Sequence, residues 1–216
     1  RMMYQYLEKD VGRVNRAYIS LEADLLNLSN IQKNDLQFYL IDIDDFKSIN
    51  DRYGHTVGDK VLIQISQILT AVSREGDYVV RYGGEEFLLV MRDTPRSESA
   101  IIVERIQQAF QDEEISISAD LSIPLRCSIG FAPYPFSSLC PAQLLPEQVI
   151  QIADIALYCA KSSGKNCWVG LNGHYKKDEV IVSDVLNNTE QLIEQGLVEV
   201  ITSDNVTQLN WTQGRP

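Results

Sequence analysis

Four acids and three lysines hold most of the chemistry in this chain. Asp42 and Asp44 end the run Gln37-Phe38-Tyr39-Leu40-Ile41-Asp42-Ile43-Asp44, and Glu85 and Glu86 follow paired glycines in Gly83-Gly84-Glu85-Glu86-Phe87. Clustered carboxylates are hard oxygen donors of the kind that bind Mg2+, an ion that also binds nucleotide phosphates. Metal-assisted phosphoryl transfer is the chemistry they suggest, although any one acid at a strand end or hairpin is more often simply solvated. Lys47, three residues past Asp44, is within reach of a triphosphate held by such a metal. Lys161 and Lys165 recur four apart, a spacing that sets both ammonium groups on one helical face toward one anion. A solvated helix end that complements the helix dipole is the plainer explanation of that pair. Asn50, His55 and Asp59 occupy a turn-rich stretch. An ionised carboxylate only accepts hydrogen bonds, so Asp59 suits the N1 and N2 donors of guanine; a helix cap before Val61 is the alternative.

These residues need elements to position them. The apolar run before Asp42 reads as a buried strand whose carboxyl end opens into a site, with Asp42 and Asp44 on one face. Apolar residues at 61, 62, 65, 68, 69 and 72 have helical spacing, and the helix ends before Gly76. Tyr78–Tyr82 and Glu86–Met91 read as a hairpin closed by Gly83-Gly84, where glycine would take positive φ. Ile102, Val103, Ile106 and Phe110 mark another helix. Residues Ile115–Phe131, interrupted by Pro124, predict one or two strands. Val149–Ala160 predicts a third helix stopped at Gly164, and Cys167–Leu171 a short edge strand. Leu21, Leu25, Leu26 and Leu28 suggest an N-terminal helix from Tyr4 to about Asn30. In the tail, Glu199–Thr202 and Val206–Trp211 suggest a hairpin around Asp204-Asn205. The order implies an α+β fold, a mostly antiparallel sheet covered by helices.

The 216 residues, 44% hydrophobic, suffice for one good core. A net charge of −11 argues against a nucleic-acid polymer as partner, because such binding needs lysine and arginine to replace phosphate counterions. An anionic nucleotide would require local cations. Four cysteines, at 127, 140, 159 and 167, form no CxxC pair and no metal spacing with His55 or His174, so reduced thiols in a cytosolic setting are expected. No run approaches the roughly 20 apolar residues of a membrane span, and the first residues lack signal-peptide features. This segment therefore reads as cytoplasmic and makes no membrane contact, while its start at Arg1 leaves room for an upstream sensory or membrane-anchored part.

The motifs together resemble the GGDEF domain family. Arg81-Tyr82-Gly83-Gly84-Glu85-Glu86-Phe87 has the active GGEEF form of its signature. The resemblance extends through Asp42-Ile43-Asp44-x-Phe46-Lys47-x-Ile49-Asn50-Asp51, Gly54-His55-x-x-Gly58-Asp59 and Cys127-Ser128-Ile129-Gly130. A last block is Ala153-Asp154-x-Ala156-Leu157-Tyr158-x-Ala160-Lys161-x-x-Gly164-Lys165-Asn166. The resemblance implies a palm-like, ferredoxin-like fold of the nucleotidyl-cyclase type. It implies a helical lead-in over 1–30, a GGDEF domain over 31–171 and an extension of unknown role over 172–216.

It further implies a diguanylate cyclase that condenses two GTP molecules into cyclic di-GMP with release of two pyrophosphates, working as a homodimer. Asp42, the carbonyl of Ile43 and Glu85 would hold two divalent ions, Mg2+ or Mn2+, with Glu85 also taking the proton of the attacking 3′-hydroxyl and Glu86 in support. Lys47 would stabilise phosphate charge, Lys161 and Lys165 would hold the terminal phosphates, Asn50 and Asp59 would read guanine, and His55 would line that pocket. Arg74-x-x-Asp77 has the register of the family's product-inhibition motif; a surface ion pair is the alternative. Two departures stand out. Glu8-Lys9-Asp10-Val11-Gly12-Arg13-Val14-Asn15-Arg16 keeps only the glycine and the Asn-Arg pair of the usual opening segment, and Lys165 replaces a frequent arginine. The rival readings are a silent GGDEF domain that binds cyclic di-GMP or serves as an interaction module, and a nucleotide cyclase of another specificity.

Overall fold

A computed structural model describes residues 2–19, 32–118, 121–176, 180 and 182–211. Helix α1 (Met2–Ile19) precedes strand β1 (Leu36–Ile43), helices α2 (Phe46–Tyr53) and α3 (His55–Val72), and the strands β2 (Tyr78–Arg81) and β3 (Glu86–Met91). Helix α4 (Ser99–Gln111), strands β4 (Glu114–Ser118), β5 (Leu121–Pro124) and β6 (Cys127–Tyr134), helix α5 (Pro146–Ser162) and strand β7 (Trp168–Gly173) follow. The chain then forms α6 (Val182–Asn187), α7 (Thr189–Glu194) and β8 (Val198–Thr202). The described residues form a six-stranded sheet in the order β2-β3-β1-β6-β7-β8, antiparallel except between β6 and β7. That parallel pair needs a crossover, and α5 supplies it. The α+β, mostly antiparallel architecture read from the sequence is the one observed.

Strand β1 is buried along its whole length, as its unbroken apolar run requires. Its side chains alternate between two cores. Leu36, Phe38 and Leu40 join α1, α5 and the tail helices, while Tyr39, Ile41 and Ile43 join α3 and α4. The central strand is therefore held from both sides, and its carboxyl end is a fixed point.

Several expectations change. The stretch Ile115–Phe131 contains parts of three strands, because Pro124 ends β5, and β4 and β5 form their own two-stranded ribbon. The strand after Gly164 is not an edge. All six residues of β7 are buried between β6 and β8. The tail hairpin does not form either, since β8 pairs with β7 and residues 206–211 carry no strand. Val206, Leu209 and Trp211 instead pack against the core. The N-terminal helix ends at Ile19, and the leucines at 21, 25, 26 and 28 lie outside the described residues. Among the described residues no helix is long and apolar enough to cross a membrane.

The divergent opening segment still docks α1. Buried Asp10 accepts from Tyr78 at 2.7 Å and from Arg92 at 2.6 Å, and Asn15 accepts from Tyr134 at 2.9 Å. A second network fixes the entry to β1. Asp35 accepts from Arg96 Nε at 2.9 Å and from the Tyr18 hydroxyl at 2.5 Å, while Arg96 also donates to the carbonyls of Pro135 and Phe136. Burial pushes Asp35 up to about 6, against the opposing pull of Arg96 and Tyr18.

Arg96→Met would leave that carboxylate buried without its cation, a loss of about 3–5 kcal/mol at neutral pH. The raised pKa fixes the sign of the pH dependence. Protonated Asp35 favours the folded state below about pH 4, and that advantage is lost as pH rises through about 6. Urea unfolding should therefore show a smaller deficit for the variant at pH 5 than at pH 7.5. An equal deficit at both pH values would contradict this account of the pair.

Candidate active site

The carboxyl end of β1, the tip of the β2–β3 hairpin and the end of α5 meet at one end of the sheet. Asp42 lies opposite Glu86 in the β1–β3 register, and Ile43 N donates to the Glu85 carbonyl at 3.4 Å. Lys161, in the last turn of α5, sets its ammonium 2.6 Å from Asp42 Oδ2. Burial raises Asp42 to about 6; Lys161 pulls it down, and the charges of Glu85 and Glu86 push it further up. A buried acid, two further acids and a lysine thus share one field.

Asp44 has a different task from Asp42. Strand β1 ends at Ile43, so the expected shared face stops one residue early. The Asp44 carboxylate accepts from Ser128 Oγ at 2.7 Å and from the Asn166 amide at 2.8 Å, tying β1 to β6 and to the loop after α5. Its neighbour Asp45, at φ 58°, pairs with Lys165 at 2.7 Å. The two lysines do not share a helical face. Helix α5 stops at Ser162, and Lys165 sits in the loop beyond it, so each lysine meets a separate acid.

The hairpin forms as expected, but its glycines serve another purpose. Neither Gly83 nor Gly84 has positive φ. A Cβ on Gly83 would stand 2.8 Å from Glu86 Oε2, so glycine admits the carboxylate of Glu86 against the turn. Arg81 secures the tip by donating through Nε and Nη2 to the Gly84 carbonyl at 3.1 and 2.8 Å. Arg81 opens the signature block, yet nothing in its sequence context marks this role.

On the far side of the hairpin, a groove of about 410 Å3 runs between α3 and β2–β3, lined by Asp59, Leu62, Ile63, Ser66, Val79, Arg81 and Phe87. Asp59 faces it from the second turn of α3. Because that helix begins at His55, Asp59 is not its cap. Leu62 and Arg81 are lining residues that the motifs do not mark, and the helical stripe places Leu62 only in the core. Asn50 on α2 is half-buried and lies so close to α3 that a Cβ on Gly58 would meet its Oδ1 at 2.0 Å. His55 and Lys47 are exposed on α3 and α2 respectively.

Arg74 and Asp77 form a turn and not an ion pair. Asp77 accepts from the backbone amides of Arg74 at 2.8 Å and Arg92 at 3.0 Å, leaving the exposed Arg74 guanidinium to face solvent.

Among the described residues no three His, Cys, Asp or Glu side chains close around one point. The donor set still suits a divalent ion. Asp42, Glu85 and the Ile43 carbonyl offer hard oxygen atoms of the kind such an ion takes, and the ammonium of Lys161 shows that Asp42 already accepts a cation.

Residues 13–167 match the family model for the diguanylate cyclase GGDEF domain. Diguanylate cyclase A of Treponema denticola is 36% identical over 141 residues, covering 65% of this chain and 36% of that protein. The chain thus spans just over a third of that relative's length. The active GGEEF domain of a diguanylate cyclase from Vibrio cholerae aligns with a TM-score of 0.55 at 26% identity, covering 74% of this chain and 92% of that one. The GGDEF domain of DgcB from Caulobacter crescentus, in complex with c-di-GMP, aligns with a TM-score of 0.56 at 27% identity, covering 72% and 81%.

The charge crowding at Asp42 predicts that an ionised acid is held there at a cost to stability. An acid raised to about 6 binds its proton more tightly in the folded than in the unfolded chain, so stability is lost as pH rises from about 4 through about 6. With chelator present at pH 7.5, Asp42→Asn should be more stable than the parent by about 1–3 kcal/mol. Denaturant titration checks this; a variant less stable than the parent would show that Lys161 outweighs the burial cost.

Proposed function

This chain belongs to the GGDEF family of diguanylate cyclases, and from that membership we propose that it condenses two GTP molecules into cyclic di-GMP and two pyrophosphates. The observation that carries the reading is the convergence of Asp42, the Glu85-Glu86 hairpin and Lys161 at one end of the sheet. Asp42, Glu85 and the Ile43 carbonyl would hold two divalent ions, Mg2+ or Mn2+. When bound, these ions neutralise charge on the triphosphate and leaving pyrophosphate. Glu85 accepts the proton of the attacking 3′-hydroxyl, with Glu86 beside it. Lys47, Lys161 and Lys165 bind phosphate oxygens as point charges.

The groove beside Asp59 takes the guanine. Asp59 accepts from N1 and N2, Leu62 supplies an apolar wall, Asn50 contributes a second polar contact and His55 lines the rim. Gly58 matters here because any larger residue would displace the Asn50 amide. Positioning and charge stabilisation supply most of the rate in such transfers. One chain presents one nucleotide, so two chains must face each other, and activity depends on homodimerisation.

Product inhibition is assigned to the Arg74 turn. Asp77 spends one lone pair of each oxygen on backbone amides, which fixes the turn and leaves Arg74 as the principal grip on a phosphate or guanine edge.

The test is incubation of the chain with GTP and Mg2+ at high protein concentration, with chromatography of the nucleotides. Cyclic di-GMP should form at a rate per chain that rises with concentration. No cyclic product or pyrophosphate, even from a chain forced to dimerise, would reject the enzyme and leave the receptor reading. Glu85→Ala should lower the rate by at least about a hundredfold, the range for removal of a proton acceptor. Arg74→Ala should leave the initial rate unchanged and abolish inhibition by added cyclic di-GMP; inhibition that persists would remove Arg74 from that role.

A further inference from the structure

The segment after β7 lies outside the family match, which ends at residue 167, yet it grips the loop that presents Lys165. In that loop Gly164, Lys165 and Asn166 all have positive φ, at 127°, 60° and 46°. Non-glycine residues hold such angles in succession only when their surroundings fix them. Three anchors come from the domain and its own helix: Lys165 N donates to Ala160 O at 3.3 Å, Asn166 N to Asp44 Oδ2 at 2.8 Å, and Lys165 Nζ to Asp45 at 2.7 Å. Two others come from the tail. Asn205 Nδ2 donates to the Asn166 carbonyl at 3.0 Å, and the Asn210 amide donates to Ser163 Oγ at 3.1 Å.

The tail is itself fixed. Ser203 exchanges hydrogen bonds with Trp168 at the start of β7, its amide donating to the Trp168 carbonyl and its Oγ accepting from the Trp168 amide, each at 3.2 Å. Val206, Leu209 and Trp211 rest against the core that contains α5.

We propose that residues 203–211 are a positioning element of the active site, clamping loop 163–166 so that Lys165, and the end of α5 with Lys161, are preset for the phosphates of a nucleoside triphosphate. Asn166 is central to this arrangement. Its amide is held by Asp44 from the catalytic strand and its carbonyl by Asn205 from the tail, so the tail completes a bridge that begins at β1. Asn205 touches no substrate; it acts through Asn166. The inference rests on the reading of Lys161 and Lys165 as phosphate-binding groups, and the experiment separates the two.

In the full chain, Asn205→Ala, Asn205→Gln, Lys161→Ala and Lys165→Ala are compared, together with a chain ending after Asp204. The readouts are kcat, KM for GTP, the dissociation constant of a non-hydrolysable GTP analogue, and the melting temperature. Asn205→Ala should raise KM and the dissociation constant about three- to tenfold, the factor carried by one ordinary hydrogen bond. Its kcat should stay within about twofold and its melting temperature within about 2 °C. Asn205→Gln retains a donor and should recover part of the loss, and the shortened chain should bind the analogue at least as weakly as Asn205→Ala. Unchanged nucleotide binding in Asn205→Ala, with binding weakened in the two lysine variants, overturns the clamp and keeps the lysines. Unchanged binding in all three overturns both. A fall in kcat and melting temperature without a change in binding also overturns the clamp, because it marks a merely structural contact. Should the shortened chain fail to fold, the two Asn205 variants decide alone.

Discussion

The pair formed by Asp42 and Lys161 is the interaction on which the rest of the site depends. Asp42 is 3% exposed, and an isolated carboxylate at that depth would neutralise itself by taking a proton. Lys161 opposes this from 2.6 Å, while Glu85 and Glu86 act in the other direction. The resulting value, raised to about 6, means that small changes in local charge decide whether Asp42 is ionised. The pair also joins the middle of the sheet to the end of α5, so whatever moves α5 changes the electrostatics at β1.

That position can be held only because both partners are immobile. Strand β1 lies between two hydrophobic cores, with alternate side chains committed to each, and a one-residue slip would exchange Phe38 and Leu40 for Tyr39 and Ile41 and expel Asp42 to the wrong face. Helix α5 packs across β6, β1 and β7 as the crossover between the two parallel strands. The Asp44 carboxylate then fastens the loop after α5 to the same strand end through Asn166. The two acids at the end of β1 thus divide the work: Asp42 faces Lys161 and the hairpin acids, and Asp44 holds the loop after α5.

Local signals made part of this legible in the sequence. The apolar run before Asp42, the hairpin at Gly83-Gly84 and the helical stripe from Val61 carry their periodicity within a few residues, and each forms where it was expected. What was not legible depends on partners far along the chain. Cys167 to Leu171 looks like an edge strand until β8, built from the tail, covers the strand that forms there. Lys165 has helical spacing from Lys161, but Gly164 ends the helix and Asp45 draws the lysine away. Gly83 reads as a residue chosen for positive φ, whereas its lack of a Cβ makes room for Glu86, a contact that appears only when the turn closes. Asp44 is indistinguishable from Asp42 by pattern; Ser128 and Asn166 give it its separate task.

For a chain of net charge −11, the proposed handling of a nucleoside triphosphate poses an electrostatic problem that must be solved locally. Long-range attraction is unfavourable, and screening confines each charge to roughly 10 Å at ordinary salt. Two of the candidate phosphate lysines are paired with acids, Lys161 with Asp42 and Lys165 with Asp45. Under the proposed function, a divalent ion and a triphosphate arrive with opposite charges, one matched to the acids and the other to the lysines. Binding then exchanges partners within the site and strands no charge at low exposure, which is the condition a buried ion pair must meet to be broken without a large cost. The net charge of −11 discourages other polyanions, so under the same proposal discrimination and catalysis would draw on one distribution of charge.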